Sequence, residues 1–204
     1  MPVLTGCHVR LEALTSAHAP ALFAAAGDDR STYALTWVPE TADEMSSYVE
    51  RALEEQRAGT GIPFAVRSAH TGEIVGTTRY LNMEFWPGLG TPHPTVVEIG
   101  YTWLTPEVQR SGINTEMKHF LLQYAFEYWN VLRVSLKTDE RNARSRAAIE
   151  RIGGRYEGVR RAERLRSDGT IRDTAYFSIL ASEWPAARDA LLERLRPAAM
   201  IGVE

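Results

Sequence analysis

Residues 98–118, Glu-Ile-Gly-Tyr-Thr-Trp-Leu-Thr-Pro-Glu-Val-Gln-Arg-Ser-Gly-Ile-Asn-Thr-Glu-Met-Lys, carry an apolar strand to Leu104, a short loop, and a helix starting near Ile113. A junction of this kind aims free backbone N–H groups and the positive end of a helix dipole at one point. It can hold a phosphate or pyrophosphate without a lysine. Gly112 allows close backbone approach to such a group, although read by itself it is first a turn residue. Asn114 reads equally as a helix cap and as a ligand-facing side chain.

The rest of the chain supplies alternating elements. A short strand holds Val9 and Leu11, and residues 17–26 read as a helix that ends in a turn at Gly27-Asp28-Asp29. Residues 43–57 form a helix in which Met45, Tyr48, Val49 and Ala52 recur at helical spacing. Residues 63–67 and 73–80 are strands joined by Ala-His-Thr-Gly, a hairpin signal. The segment 82–94 is rich in Pro and Gly and reads as a loop before the strand 95–104. Residues 114–128 are amphipathic, 131–137 a strand, and 142–152 a short helix closed by Gly153-Gly154. Residues 155–165 and 171–180 form a last hairpin with Ser167-Asp168-Gly169 at its tip, and a helix covers roughly 182–195. The order predicts one α/β domain over residues 1–204 with a mixed sheet.

A chain of 204 residues suffices for one domain with a sizeable core. A net charge of −3 argues against nucleic acid as the default partner. Lys118 and Lys137 are the only lysines among the 23 Lys and Arg residues, a skew read first as genomic bias. Cys7 is the single cysteine, so no intrachain disulfide forms. With neither a signal-peptide pattern nor a long apolar run, the expected setting is the cytoplasm, away from membranes. The five histidines are scattered, and no metal-ligand spacing appears.

Four segments in order resemble the GCN5-related N-acetyltransferase (GNAT) family, in particular its ribosomal-protein alanine and serine branch (RimJ/RimL-like). The first is Val9-Arg10-Leu11-Glu12-Ala13-Leu14. The second is Gln109-Arg110-Ser111-Gly112-Ile113-Asn114, set against a family pattern Arg/Gln-x-x-Gly-x-Gly/Ala from which Asn114 departs. The third is Asn142-Ala143-Arg144-Ser145 with Ile152-Gly153-Gly154 after it. The fourth is Asp173-Thr174-Ala175-Tyr176-Phe177-Ser178-Ile179-Leu180 with Glu183-Trp184 following. Together they span about 9–184.

The resemblance implies a mostly antiparallel mixed sheet, flanked by helices, in which strands 95–104 and 131–137 splay apart to admit acetyl-CoA. It implies that the backbone of Gln109, Arg110, Ser111, Gly112, Ile113 and Asn114 holds the pyrophosphate, with Thr115 and Arg110 adding contacts. Trp103 and Leu104 pair with the pantetheine arm, and Asn142 meets that arm through its amide. A bare strand edge can hold the two pantetheine amides as it would another strand. Asn142 reads equally as an N-cap with its amide facing water. A homodimer is a family-level expectation.

Acyl transfer from a thioester to an amine needs a neutral amine, oxyanion donors and a thiolate that can leave. Glu98 is the expected base, on one face of its strand with Gly100 and Thr102; the competing reading is an ion pair with Arg79. Many family members have a tyrosine where this chain has Ile149. Ser145, one turn after Asn142, is the expected hydrogen-bond partner of the leaving sulfur. A thiol pKa near about 8.5 makes a strong acid unnecessary.

For the acceptor, the expected lining is Tyr33, Trp37, Glu84 and Trp86, with Phe85 and His93 nearby. Such an aromatic slot with a carboxylate suits a cationic amine. The predicted activity is transfer of acetyl from acetyl-CoA, without a metal, to a primary amine: a protein N-terminus or a small molecule. The alternatives are a non-catalytic acyl-CoA-binding module and transfer of a larger acyl group such as succinyl.

Overall fold

A computed structural model describes residues 3–166 and 168–196, so Ser167 of the expected hairpin tip lies outside the described residues. The strands are β1 (Leu4–Thr5), β2 (Val9–Ala13), β3 (Gly61–Ser68), β4 (Ile74–Glu84), β5 (Val96–Leu104), β6 (Arg133–Asp139), β7 (Arg155–Leu165) and β8 (Ile171–Leu180). The helices are α1 (Ala19–Ala26), α2 (Ala42–Arg57), α3 (Gly112–Gln123), α4 (Ala143–Arg151) and α5 (Trp184–Leu195). The strands form one sheet in the order β1-β2-β3-β4-β5-β6-β8-β7. Every neighbouring pair is antiparallel except β5 and β6, which are parallel and joined by the α3 crossover.

Each face of the sheet buries its own apolar cluster. Val97, Ile99 and Leu104 pack with Met117 and Leu121 of α3 and Leu191 of α5. On the other face Trp103 and Ala65 pack with Leu22 of α1 and with Met45, Tyr48 and Val49 of α2. The buried stripe of α2 is the one its spacing predicts, and Thr41 caps the helix by accepting from Glu44 N. Burial of each large apolar side chain is worth roughly 1.5–3 kcal/mol.

Two irregularities of β5 shape the molecule. Arg79 of β4 pairs with Gly100 while Thr77 pairs with Trp103, so β5 carries one extra residue there. This bulge is centred on Tyr101, whose φ of 48° is left-handed. It reverses the side-chain alternation: Val97 and Ile99 face α3, yet Trp103 faces α1 and α2. The second irregularity is separation. β5 and β6 pair only at Val96–Arg133, Val97–Val134 and Glu98–Ser135, although the strands continue to Leu104 and Asp139. Over its whole length β6 stays paired with β8, so the strands diverge as a wedge beyond Glu98.

The helix after β5 differs from the expected 114–128. α3 starts at Gly112, and its last expected turn, Tyr124–Tyr128, is a π turn in which Trp129 N donates to Tyr124 O. β4 runs on to Glu84, into the segment expected to be loop.

Candidate functional site

Glu98 is the last residue of β5 paired with β6, so its carboxylate stands at the apex of the wedge. It is 6% exposed. Asn82 Nδ2 donates to its Oε2 at 2.8 Å, and Lys137 Nζ of β6 lies 3.1 Å from the same oxygen. The other oxygen sits beside Gly100, where a Cβ would come within 3.1 Å of it. The absent side chain at Gly100 thus gives that oxygen its space. Lys137 is also 3.8 Å from Glu163 Oε1, which accepts from the Tyr176 hydroxyl.

The expected rival partner of Glu98, Arg79, is engaged elsewhere. Its guanidinium lies 2.8 Å from Glu55 Oε2 of α2 and 4.2 Å from the Tyr101 ring centroid. Thr102 does not share Glu98's setting as simple alternation predicts, because the bulge lies between them. Its hydroxyl contacts that of Thr78 at 2.8 Å and accepts from Lys118 Nζ of α3 at 2.9 Å. Burial pulls the Lys118 ammonium down to about 7. Both lysines of the chain therefore reach β5, one at the wedge apex and one beneath the bulge. A compact ammonium fits these confined positions in a way a planar guanidinium does not.

The loop after β5 is closely tied down. Gln109 Nε2 donates to Leu104 O at 3.0 Å, and Tyr33 OH donates to the same carbonyl at 3.2 Å. Arg144 of α4 donates to Gln109 Oε1 at 3.0 Å and also to Thr32 O. This bridge spans the wedge, because Gln109 follows β5 and α4 follows β6. Arg110 adopts a left-handed φ of 64°.

Ser111, not Asn114, caps α3: its extended backbone lets Oγ accept from Ile113 N at 3.2 Å. Asn114 is the third residue of the helix and Thr115 the fourth, so the departure from the family pattern takes nothing from the cap. Gly112 has a role beyond turning, since a Cβ there would lie 2.5 Å from His8 Cδ2.

Asn142 caps α4, with Oδ1 accepting from Ser145 N at 2.9 Å. The alternative N-cap reading therefore holds, but at 7% exposed the residue is buried rather than open to water. The oxygen is committed to the cap, so the Nδ2 hydrogens are what Asn142 can offer a ligand. Ser145 lies on the first turn of α4, and Ile149 packs into the core.

A cavity of about 440 Å³ opens on the α2 side of the wedge. Tyr33 and Trp37 line it as expected, together with Tyr48, Arg79, Tyr101 and Asp139. Burial pushes the Tyr33 phenol up to about 12. Its size is that of a small-molecule pocket.

Glu84 and Trp86 belong to a different region. Glu84 pairs with Val96, at the opposite end of β5 from the loop, and its Oε2 accepts from Trp86 Nε1 at 3.0 Å. Phe85 and Trp86 are exposed, and neither they nor His93 line the cavity. The carboxylate of the expected acceptor slot is thus absent from it. Tyr48, Arg79 and Lys137 were legible only as core, ion-pair and composition residues. The bulge at Tyr101, which turns Trp103 toward α1 and α2, has no sequence signal beyond Gly100. Among the described residues, no group of three His, Cys, Asp or Glu could hold a metal, and no helix is long and apolar enough to cross a membrane.

Comparison with known proteins agrees with this geometry. The acetyltransferase (GNAT) domain family matches residues 8–155. The Bacillus subtilis protein YdaF, named as a candidate ribosomal N-acetyltransferase, is 40% identical over 87 residues. That match spans 43% of this chain and 46% of YdaF, so the chain spans less than half the length of this relative. A GCN5-related N-acetyltransferase from Brucella melitensis superposes with a TM-score of 0.84 at 30% identity, covering 96% of this chain and 86% of its own. RimJ of Mycobacterium smegmatis, solved with CoA-disulfide, shares the fold with a TM-score of 0.74 at 23% identity, over 91% of this chain and 88% of its own. The chain belongs to the GNAT acetyltransferase family.

Proposed function

We propose that this chain is an acetyl-CoA-dependent N-acetyltransferase acting on a primary amine. The observation that carries the reading is the divergence of β5 from β6 immediately after Glu98, beside a loop that ends in the N-terminus of α3. The unpaired edge of β5 beyond Glu98 suits the two amides of pantetheine. The backbone at Gln109–Asn114 suits the pyrophosphate, with Asn142 Nδ2 as a further donor to the arm. Thr115 and the Arg110 side chain are candidate direct phosphate contacts. The CoA-disulfide bound by the M. smegmatis relative supports this donor class.

Glu98 takes a proton from the ammonium of the acceptor, directly or through water. The neutral nitrogen then attacks the thioester carbonyl carbon. An N–H of the bulged strand near Trp103 receives the oxyanion. As the C–S bond breaks, the sulfur departs as a thiolate with Ser145 as its hydrogen-bond donor, and the nitrogen gives its second proton to that thiolate or to water, leaving the neutral amide. The amine enters through the cavity between α2, Tyr101 and the β7–β8 hairpin. The name of YdaF favours a protein N-terminus as acceptor, whereas the volume of the cavity favours a small amine.

The test is thiol release from acetyl-CoA across a panel of peptides and small amines, with product masses read in parallel. N-acetylated product equal to CoA released supports the reading. Saturable acetyl-CoA binding without transfer to any amine leaves an acyl-CoA-binding module. A higher kcat/KM for succinyl-CoA than for acetyl-CoA assigns the larger acyl group.

A further inference from the structure

The cavity is cationic in a chain whose net charge is −3. Arg51, Arg79, Arg164, Arg166 and Arg172 line it, against two carboxylates, Glu55 and Asp139. Both carboxylates are already matched: Glu55 by Arg79 at 2.8 Å, Asp139 by Arg166 at 2.6 Å. Among the described residues, Arg51, Arg164 and Arg172 make no direct ion pair with a carboxylate, although Asp139 and Glu163 lie near enough to Arg172 to favour its charge. Arg164 and Arg172 stand directly opposite each other in the β7–β8 register. Like charges in that position repel. Arg172 Nε is buried and has no hydrogen-bond acceptor among the described residues, which leaves a charged donor unsatisfied. Burial, and then the neighbouring Arg164, hold its guanidinium below the ordinary arginine range. Arg51 lies 5.6 Å over the Trp37 ring, toward solvent. An anion among these three groups offsets the repulsion between Arg164 and Arg172.

We infer that the acceptor is a small amine bearing its own anionic group, a carboxylate or a phosphate, which Arg172 and Arg164 hold with Arg51 on the solvent side while the amine points toward the wedge at Glu98. The inference rests on the acetyl-transfer reading for the amine end and on the cavity alone for the anion. A cavity of about 440 Å³ matches a molecule of that size. It also replaces the cationic acceptor that an aromatic slot suggested from sequence, because of those aromatics only Tyr33 and Trp37 line the cavity, and Arg30 and Arg51 already lie over their rings.

The test measures calorimetric binding to the CoA-saturated protein, alongside kcat/KM for acetyl transfer. The probes are phosphoethanolamine, β-alanine, ethanolamine, putrescine and a peptide with an acidic N-terminal sequence. The expected result is at least ~10-fold preference for phosphoethanolamine or β-alanine over ethanolamine, a factor typical of one charge-assisted hydrogen bond. Arg172→Met and the exposed Arg164→Gln should each lower that binding by roughly 10–100-fold and cost ethanolamine far less. Arg164→Gln should also raise the Tm of the ligand-free protein by relieving the repulsion.

Equal or better binding of ethanolamine or putrescine overturns the inference. So does preference for the acidic peptide, or a variant that weakens acetyl-CoA and spares the acceptors, which would assign the arginines to a CoA phosphate. An anionic preference in binding without acetyl transfer refutes the transferase reading and upholds the anion site.

Discussion

Lys137 Nζ lies 3.1 Å from Glu98 Oε2 across the point where β5 and β6 stop pairing. The pair ties the two diverging strands together at their last common residues and fixes which carboxylate oxygen stays available. Asn82 shares the committed oxygen, and Gly100 clears space beside the other. Glu98→Gln keeps the shape and one acceptor but removes the base, so kcat should fall by about 10²–10⁴-fold. KM for acetyl-CoA should hold. Steady-state kinetics with a good acceptor checks this; unchanged kcat removes Glu98 from the mechanism. Lys137→Met should shift the pH–rate profile as well as lower kcat, which distinguishes positioning of Glu98 from a purely structural role.

Lys118 gives a stability prediction with a definite sign. Its folded pKa of about 7 lies below the ordinary lysine value of 10.5, so the unfolded chain binds more protons between those values. The cost of burying the ammonium is therefore fully present below pH 7 and is relieved as pH rises toward 10.5. Thermal melts of wild type and Lys118→Met should differ most, in favour of the variant, below neutral pH. The difference should narrow through the alkaline range. A difference independent of pH would show that folded and unfolded chains bind the same number of protons at Lys118, so that burial does not depress its pKa.

Asn142 caps α4 through Oδ1, and two substitutions separate that role from the one proposed for Nδ2. Asn142→Ala loses the cap on Ser145 N and should cost about 0.5–2 kcal/mol of stability. Asn142→Asp keeps a capping oxygen but loses the Nδ2 donor. Denaturant melts should find the Asp variant near wild type, while its KM for acetyl-CoA rises several-fold. A normal KM in Asn142→Asp would confine Asn142 to capping.

Gly112 is held small by His8. A Cβ at Gly112 would lie 2.5 Å from His8 Cδ2, so Gly112→Ala must displace the ring, at a cost of about 1–3 kcal/mol. His8→Ala should recover part of that loss in the double variant, with a coupling of about 0.5–3 kcal/mol. Additive losses in a double-mutant cycle would mean that the contact does not limit packing at Gly112.

The segments that fix the fold were legible because their signals are local. The stripe Met45, Tyr48, Val49, Ala52 named α2, and the turn at Gly72 joined β3 to β4. The site was legible only in part. Glu98 stands at the wedge apex, Asn142 caps α4, and Tyr33 and Trp37 line the cavity, whereas Glu84 and Trp86 lie toward the other end of β5. Their distance from the cavity follows from strand register, which sequence spacing does not encode. The bulge at Tyr101 reversed the alternation on which the placement of Thr102 depended. Ser111 was passed over as the cap because one residue of helix start decides between it and Asn114. The arginine cluster has no local sequence signal, since the Arg164–Arg172 pairing exists only once β7 meets β8.

The central claim is that the wedge between β5 and β6 is where a donor acetyl group meets the amine. A crystal structure with bound acetyl-CoA tests it most directly. The account predicts pantetheine along the β5 edge beyond Glu98, pyrophosphate at Gln109–Asn114, and the thioester carbonyl at the bulge, within reach of Glu98 through at most one water. A thioester on the far side of α3, or one held away from Glu98 with the wedge closed, would contradict it.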